Sequence, residues 1–404
     1  MAATKKELVL AGLVLVAIPL LAEVALRATH FPFEPQLYQP SRDRGWTLRA
    51  GAEGVVAVET RQRIRINELG FRDKERRYDK PADTVRIAVL GNSWTEALQV
   101  PIEKTYEAVL ERLLNERDCF PGKRVEVLNF GVAGYSTAQE FLLLQQEVWK
   151  YHPDIVLLAF YSARDVANNV RELNNAAIPE QSPYFVFESG KLVLDESFRS
   201  VPALKEREMK MQDWRVRTAE HVRVLQGIRK LQQYAKMHVA LAALREKARQ
   251  AGVDNLEYSI YAPPTQPAME KGWRVTEGLL LEMRDEARTH GAQFRVVTLA
   301  TRPQVLPDAA KRRELEQKLG VPDLDYADRR IREFGTREGV PVTNLAPTLS
   351  AYAEEQQAYL NGFTAANLGS GHWNETGHRL AGETIAVELC QCLGKSVASP
   401  AGAR

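Results

Sequence analysis

The stretch TVRIAVLGNSWTEALQV, residues 84–100, decides the fold class of this chain. Its first part, TVRIAVL, is a short apolar run rich in β-branched side chains, which predicts a strand. Gly91 then permits a tight turn, and a helical pattern runs from about Glu103 to Glu116. A strand that leads into a helix is the repeating unit of α/β proteins.

The same alternation continues along most of the chain. Further strands are predicted at 124–130 (RVEVLNF), 153–161 (PDIVLLAFY), 293–300 (QFRVVTLA) and 341–347 (PVTNLAP), and further helices at 136–151, 275–292, 325–340 and 375–393. The third strand is almost wholly apolar, as expected for a strand buried on both faces. This order predicts a doubly wound parallel sheet with right-handed crossovers, a flavodoxin-like three-layer α/β fold.

One long insertion, residues 166–274, interrupts this α/β domain, which we expect to span 84–395. The insertion begins with a pattern typical of a β-hairpin that turns at Ser189-Gly190, and a long helical tract follows. It lies after the third strand, at the carboxyl edge where open α/β sheets bind ligands. It is either a lid or partner surface, or a helical hairpin without a function.

The N-terminus carries a targeting signal. Lys5 and Lys6 precede an uncharged run from Leu8 to Ala22, and continued to Leu26 this segment is about 28 Å long as a helix. The hydrocarbon core of a bilayer is roughly 30 Å thick, so residues 1–28 are predicted to anchor the chain as a transmembrane helix and to place the bulk of it on the exported side. A cleaved signal peptide has the same layout, although no A-x-A site follows. Residues 29–83 are predicted to be a linker and a small packed collar.

Charge and cysteine content restrict the function classes. Charged residues make up 26% of the chain and the net charge is +2, so nucleic acid is not an expected partner. Of the three cysteines, Cys390 and Cys392 are two apart on a predicted helix, where their thiols point in different directions. No disulfide framework is therefore expected, and an oxidising compartment stays open.

Two patterns at strand ends indicate where chemistry can occur. Ser93 follows Gly91 at the end of the first strand, where a hydroxyl is exposed near helix amides that bind anions. Gly134, in the segment NFGVAGYST (129–137), follows the second strand, and its amide could face a developing oxyanion. Each pattern alone is also typical of an ordinary turn or cap.

Two histidines lie next to the C-terminal helix in GSGHWNETGHR, residues 369–379. His372, Glu375 and His378 form H-x-x-E-x-x-H, which differs from the H-E-x-x-H pattern of zinc enzymes because the histidines do not lie one turn apart. We therefore predict no metal site, and no motif indicates a cofactor.

Taken together and in this order, these segments resemble the blocks of the SGNH (GDSL-like) hydrolase family, over most of residues 84–393 apart from the insertion. Gly91-Asn92-Ser93 matches the Gly-Asp-Ser block, and Gly134 matches the glycine of the second block. Ser162-Ala163-Arg164-Asp165 aligns with Gly-x-Asn-Asp, and His372 with the histidine of the last block. INELGFRD (66–73), behind an apolar N-terminus, resembles the membrane-anchored exported branch of the family.

The resemblance implies a serine esterase tethered to the membrane that acts on O-acyl, for example acetyl, esters of a glycan or lipid. Ser93 would be the nucleophile, His372 the base and Gly134 an oxyanion donor. Arg164 stands where the family has its oxyanion asparagine; a guanidinium also donates hydrogen bonds, but it carries a charge. His378, further along, would be a packing residue of the helix.

The chain departs from the family pattern in ways that leave alternatives open. Asn92 replaces the aspartate of the first block, and Gly369 and Ser370 occupy the positions where the acid that orients the histidine is expected. The sequence therefore identifies no such acid. One alternative is a catalytically silent scaffold that binds glycan or a partner in envelope polysaccharide assembly, and another is an O-acyltransferase that uses the same residues.

Overall fold

The computed structural model describes residues 4–28, 35–174, 179–212, 222–228, 231–232 and 258–391. The predicted N-terminal segment forms helix α1 (Lys5–Ala28), but in the described part of the chain no helix is both long and apolar enough to cross a membrane. Its apolar centre is bounded by Lys6 and Glu7 on one side and by Glu23 on the other. The uncharged run between them is only about 22 Å long as a helix, whereas a bilayer core is roughly 30 Å thick. The predicted transmembrane helix therefore finds no support.

The collar consists of two antiparallel hairpins. Strands β1 (Tyr38–Ser41) and β2 (Gly45–Leu48) form the first, and β3 (Glu53–Val56) and β4 (Gln62–Arg65) form the second. Leu48, Ile64 and Ile66 are fully buried and belong to the same core as the central sheet. The collar is therefore packed onto the α/β domain through apolar side chains.

The predicted parallel sheet is confirmed. It contains β5 (Thr84–Gly91), β6 (Arg124–Gly131), β7 (Ile155–Phe160), β10 (Gln293–Thr298) and β11 (Val342–Asn344). The strand order is β6-β5-β7-β10-β11, and all the pairings are parallel. A separate hairpin of β8 (Tyr184–Glu188) and β9 (Lys191–Asp195) lies between β7 and β10 in sequence. All residues of β5 and β7 are buried, since each strand lies between two neighbours and two helical layers.

Helices cover both faces of this sheet. The helices that follow α1 include, in chain order, α2 (Ser93–Glu96), α3 (Tyr106–Glu116), α4 (Thr137–Gln146), α5 (Ser162–Asn168), α6 (Pro202–Gln212), α7 (Pro267–Thr289), α8 (Ala309–Leu319), α9 (Tyr326–Glu338), α10 (Ala346–Glu355) and α11 (Glu375–Gln391). Helix α3 packs against α11, and α4 against α7. The chain moves outward from β5 to β6 and then back past β5 to β7, so right-handed crossovers put α3 and α4 on opposite faces.

This reversal defines a crevice at the carboxyl edge of the sheet. In an open α/β sheet, ligands bind at the carboxyl ends of the strands where the strand order reverses. Here that point lies between β5 and β7, which are adjacent in the sheet. The segment that follows β5 begins with Asn92 and Ser93.

Part of the insertion is described. The predicted turn at Ser189-Gly190 joins β8 and β9, and both residues have positive φ, 49° and 81°. Helix α6 follows, whereas most of the predicted helical tract beyond it lies outside the described residues. Helix α7 begins at Pro267, eight residues before the predicted start, because its first turns continue the buried face through Met269 and Trp273.

A disulfide joins Cys119 to Cys390, with a Cα–Cα distance of 5.0 Å and 271 residues between them in sequence. The sequence indicates no disulfide framework and does not predict this single bond. Cys119 lies just beyond α3 and Cys390 lies in α11, so only the packing of these two helices brings the thiols together.

Candidate active site

The end of β5 presents Ser93 at the crevice. Gly91 is needed there because a Cβ atom would lie 2.1 Å from Thr95 Oγ1 and 3.2 Å from Ala159 Cβ. The chain turns at once into the short helix α2, with Asn92 as its N-cap. Ser93, its first residue, is only partly buried, although its neighbours are buried.

Asn92 uses both ends of its amide. Its Oδ1 accepts from the Trp94 amide at 3.2 Å, and its Nδ2 donates to Asp165 Oδ1 at 3.0 Å. Asp165 also accepts from the Tyr161 amide through its other oxygen, at 2.7 Å. An ionised aspartate at position 92 would place a second carboxylate against Asp165, whereas asparagine supplies a donor. Asparagine in place of the aspartate of the Gly-Asp-Ser block therefore suits the contact with Asp165.

His372 faces Ser93 across the crevice. Its Nε2 lies 2.8 Å from Ser93 Oγ. The backbone is held against residues 360–362: Gly362 donates to the His372 carbonyl at 3.2 Å, and Asn374 donates to the Leu360 carbonyl at 2.9 Å. The ring of Trp94 packs beside the imidazole, with centroids 5.0 Å apart. The two residues that the sequence singled out, Ser93 and His372, are therefore in hydrogen-bonding contact.

The carboxylate that orients His372 comes from the collar. Glu59, in the loop between β3 and β4, places Oε1 2.6 Å from His372 Nδ1, and its Oε2 accepts from the His372 amide at 2.8 Å. A carboxylate on Nδ1 favours the tautomer in which Nε2 accepts a proton from the serine. The acid that is absent at positions 369 and 370 is thus supplied by a residue 313 positions away.

Glu59 is held in an unusual backbone conformation. Its φ is 63°, which is uncommon for a residue with a side chain and often marks a functional site. Thr60 anchors the loop by donating from Oγ1 to the Gln99 carbonyl at 2.7 Å. Burial would raise the pKa of Glu59, but hydrogen bonds from His372 and the charges of His372 and Arg302 outweigh it and lower the pKa below its ordinary value. The carboxylate is therefore ionised at neutral pH.

Gly371 makes room for this carboxylate. Its φ is 72°, and a Cβ atom at this position would lie 2.1 Å from Glu59 Oε2. The residue before His372 must therefore be glycine if Glu59 is to reach the ring. The sequence does not identify Glu59, because nothing in residues 29–83 marks it among the other acidic residues of the chain.

The predicted oxyanion loop starts beside α2. Val132 donates to the Gly91 carbonyl at 3.0 Å, and a Cβ atom at Gly131 would lie 2.2 Å from the Glu96 amide nitrogen. Gly134 is exposed, with a φ of 81°, and the ring of Trp46 lies 3.2 Å from the position its Cβ would take. The Trp46 Nε1 donates to the Ala133 carbonyl at 3.0 Å.

Arg164 lies in the first turn of α5, one residue before Asp165, and its side chain is exposed. It follows β7, the strand adjacent to β5, so it belongs to the same edge of the sheet as Ser93. Asp165, the last residue of this block, is the one that contacts Asn92.

His378 is buried in the C-terminal layer. Its Nδ1 accepts from the Tyr106 amide at 3.3 Å, and its ring stacks on that of Tyr106. Burial, followed by the charges of Arg72 and His372, lowers the pKa of His378 to about 3, so it is neutral. Within the described residues, no group of three histidine, cysteine, aspartate or glutamate side chains is arranged to hold a metal ion.

No protein-family model matches the chain, and no curated protein matches it. Solved structures with some similarity include an acetyl xylan esterase, AlAXEase, which is 11% identical with a TM-score of 0.36 over 74% of this chain and 98% of that one.

A lipolytic protein of the G-D-S-L family from Desulfitobacterium hafniense is 11% identical, with a TM-score of 0.32 over 75% of this chain and 98% of that one. A catalytic mutant of an acetylxylan esterase from Geobacillus stearothermophilus is 12% identical, with a TM-score of 0.37 over 76% and 94%. At these values the likeness carries no argument about activity. The chemistry of the site therefore rests on its own geometry.

Proposed function

We propose that this protein is a serine esterase in which Ser93, His372 and Glu59 act as nucleophile, base and orienting acid. One observation carries the proposal: Ser93 Oγ lies 2.8 Å from His372 Nε2, while His372 Nδ1 lies 2.6 Å from Glu59 Oε1. This is the arrangement by which a base activates a hydroxyl and a carboxylate orients the base. A silent scaffold would have no need of a strained loop that delivers Glu59.

The reaction would proceed through an acyl-enzyme. Ser93 Oγ attacks the ester carbonyl while its proton moves to His372 Nε2, and the imidazolium is stabilised by Glu59. The tetrahedral intermediate collapses, the C–O bond to the alcohol breaks, and His372 returns the proton to the leaving oxygen. Water then attacks the acyl-enzyme by the same steps, which releases the acid and restores Ser93.

The negative charge of the tetrahedral intermediate needs donors. We assign this role to the Gly134 amide and to the Arg164 guanidinium, which stands at the position of the family's asparagine. Loss of one such donor typically costs about 10²–10³ in turnover. If Arg164 is a poor substitute, Arg164→Asn raises kcat; a fall in kcat would mean that the arginine has its own role.

The substrate we propose is an O-acyl ester, such as an acetyl ester, on a glycan or lipid outside the cytoplasm. The Lys5-Lys6 pair before the apolar segment supports export, and the disulfide supports an oxidising compartment. A fusion of the chain to a reporter that is active only after export tests this; an inactive reporter would exclude export.

The test of the proposed function uses the purified full-length chain. Hydrolysis of p-nitrophenyl acetate and labelling by a fluorophosphonate probe are expected for the wild type and for Ser370→Ala, and both are expected to vanish for Ser93→Ala. Activity that survives Ser93→Ala, or a wild type that neither labels nor hydrolyses, would contradict the proposal, and the second result would favour the scaffold alternative. Product analysis with a sugar acceptor present separates hydrolysis from acyl transfer.

A further inference from the structure

Glu96 is a buried carboxylate close to the site that the reaction above does not use. It is the last residue of α2, three positions after Ser93, and its side chain is inaccessible to solvent. One carboxylate oxygen accepts from the Tyr38 hydroxyl at 2.6 Å, and the other accepts from the Ala133 amide. Both partners are donors, so a carboxylate with two accepting oxygens fits this position.

These two bonds join three parts of the molecule. Tyr38 belongs to β1 of the collar, Ala133 immediately precedes Gly134 in the loop after β6, and Glu96 belongs to the helix that begins with Ser93. The Ala133 carbonyl is held as well, by Trp46 Nε1 from the collar. The two peptide groups that flank Ala133 are thus each held by a hydrogen bond: Glu96 holds the one before it, and Trp46 holds the one after it, which carries the Gly134 amide.

Arg72 holds the other side of the same segment. One guanidinium nitrogen donates to the carbonyls of Glu96 and Ala97, at 2.8 Å and 2.5 Å. A second donates to the Val100 carbonyl at 2.5 Å. The guanidinium is buried and its charge compensates that of Glu96. The end of α2 is therefore tied to the segment that joins the collar to β5.

We propose that Glu96 is a positioning residue that holds the Gly134 loop in place relative to Ser93, with the Tyr38 hydroxyl of the collar holding Glu96. The inference rests on the proposed function, because the position of the loop matters for activity only if the Gly134 amide stabilises the oxyanion formed at Ser93. An oxyanion donor must be set before the reaction to be effective. The collar thus contributes twice, through Glu59 to the base and through Tyr38 to the oxyanion loop.

The groups that face Glu96 make this role dependent on pH. Burial raises the pKa of Glu96 to about 7, while the bonds from Tyr38 and Ala133 and the charge of Arg72 oppose the rise. Tyr135 also faces it, since the charge of Glu96 contributes to the raised pKa of that phenol. The ionised form is the one that accepts from both donors, so the loop is held best above neutral pH.

Kinetics give the first test. Glu96→Ala is expected to lower kcat about 10²–10³-fold and to change KM for p-nitrophenyl acetate by less than about threefold. Tyr38→Phe removes a bond that lowers the pKa of Glu96, so the acidic limb of the kcat profile should move up by about 0.5–1 pH unit. In a Glu96→Gln background Tyr38→Phe should produce no further shift. A wild-type kcat in Glu96→Ala, or an equal shift in both backgrounds, overturns the proposal.

Amide hydrogen exchange gives a second test that needs no activity. In the folded full-length chain the Ala133 amide should exchange at least about tenfold faster in Glu96→Ala than in the wild type, while β5 and α11 keep their protection. Unchanged exchange at Ala133 overturns the positioning role even if the protein proves not to be an esterase. Faster exchange without catalytic activity would instead contradict the proposed function alone.

Discussion

At the scale of single residues, Glu59 decides whether the site is complete. The sequence places a serine and a histidine at the carboxyl edge of the sheet, and the structure brings Ser93 Oγ and His372 Nε2 to 2.8 Å. The orienting acid could not be predicted, because its contact with His372 spans 313 positions and depends on where the collar docks. The sequence shows that Asn92 differs mildly from the aspartate of the family block. The reason for asparagine, its hydrogen bond to Asp165, is again a tertiary contact.

Replacement of Glu59 by glutamine is expected to lower kcat for p-nitrophenyl acetate by about 10²–10⁴, because an amide does not stabilise the imidazolium and can hold the wrong tautomer. Glu53→Gln is the matched control: it lies on the same hairpin and its ion pair with Arg63 is exposed, so kcat should stay within about twofold. A Glu59→Gln variant as active as Glu53→Gln would remove Glu59 from the mechanism.

At the scale of elements, burial determines which parts of the fold could be predicted. The strands β5 and β7 are buried throughout, and their apolar sequences predict them as strands. Helix α8 was not predicted, since it buries no residue and shows no apolar face. The sequence does not predict the collar hairpins either, because their strands of four residues are too short to show a clear alternation of apolar and polar residues.

The β3–β4 hairpin reaches His372 only because Gly371 leaves space for it. Gly371→Ala is expected to displace the Glu59 carboxylate and to lower kcat to about the level of Glu59→Gln. Gly320→Ala is the control, because Gly320 has a similar φ of 66° and nothing within 4 Å of its Cβ position. Both substitutions put a side chain on a left-handed backbone, which costs roughly 1–2 kcal/mol. An equal kcat in the two variants would therefore show that the position of Glu59 does not depend on Gly371.

At the scale of the whole molecule, the proposed active site is shared between two parts of the chain. The α/β domain supplies Ser93, His372 and the Gly134 loop, and the collar supplies Glu59, Tyr38 and Trp46. The collar and the domain share one hydrophobic core. The disulfide joins Cys119, just beyond α3, to Cys390 in α11.

Removal of this disulfide is expected to lower the free energy of unfolding by about 2–4 kcal/mol, because a closed loop restricts the unfolded chain. Urea unfolding of Cys119→Ser, compared with Cys392→Ser, measures the effect. The urea midpoint should fall in Cys119→Ser and not in Cys392→Ser. Reductant should no longer change the midpoint of Cys119→Ser. Equal midpoints in the two variants, or a free Cys119 thiol found by peptide mapping of the wild type, would contradict the pairing.

Only the resemblance to the SGNH blocks paired His372 with Ser93, whereas the sequence by itself determined the parallel α/β sheet and the position of Ser93 at the carboxyl end of its first strand. These features follow from local patterns of burial and from the rules that connect parallel strands. Only the tertiary structure decided the source of the acid, the buried bonds of Glu96 and the partner of Cys119. Each of these is a contact between segments far apart in the chain, formed when the collar and the last helix dock on the sheet, and no local pattern of residues specifies such docking.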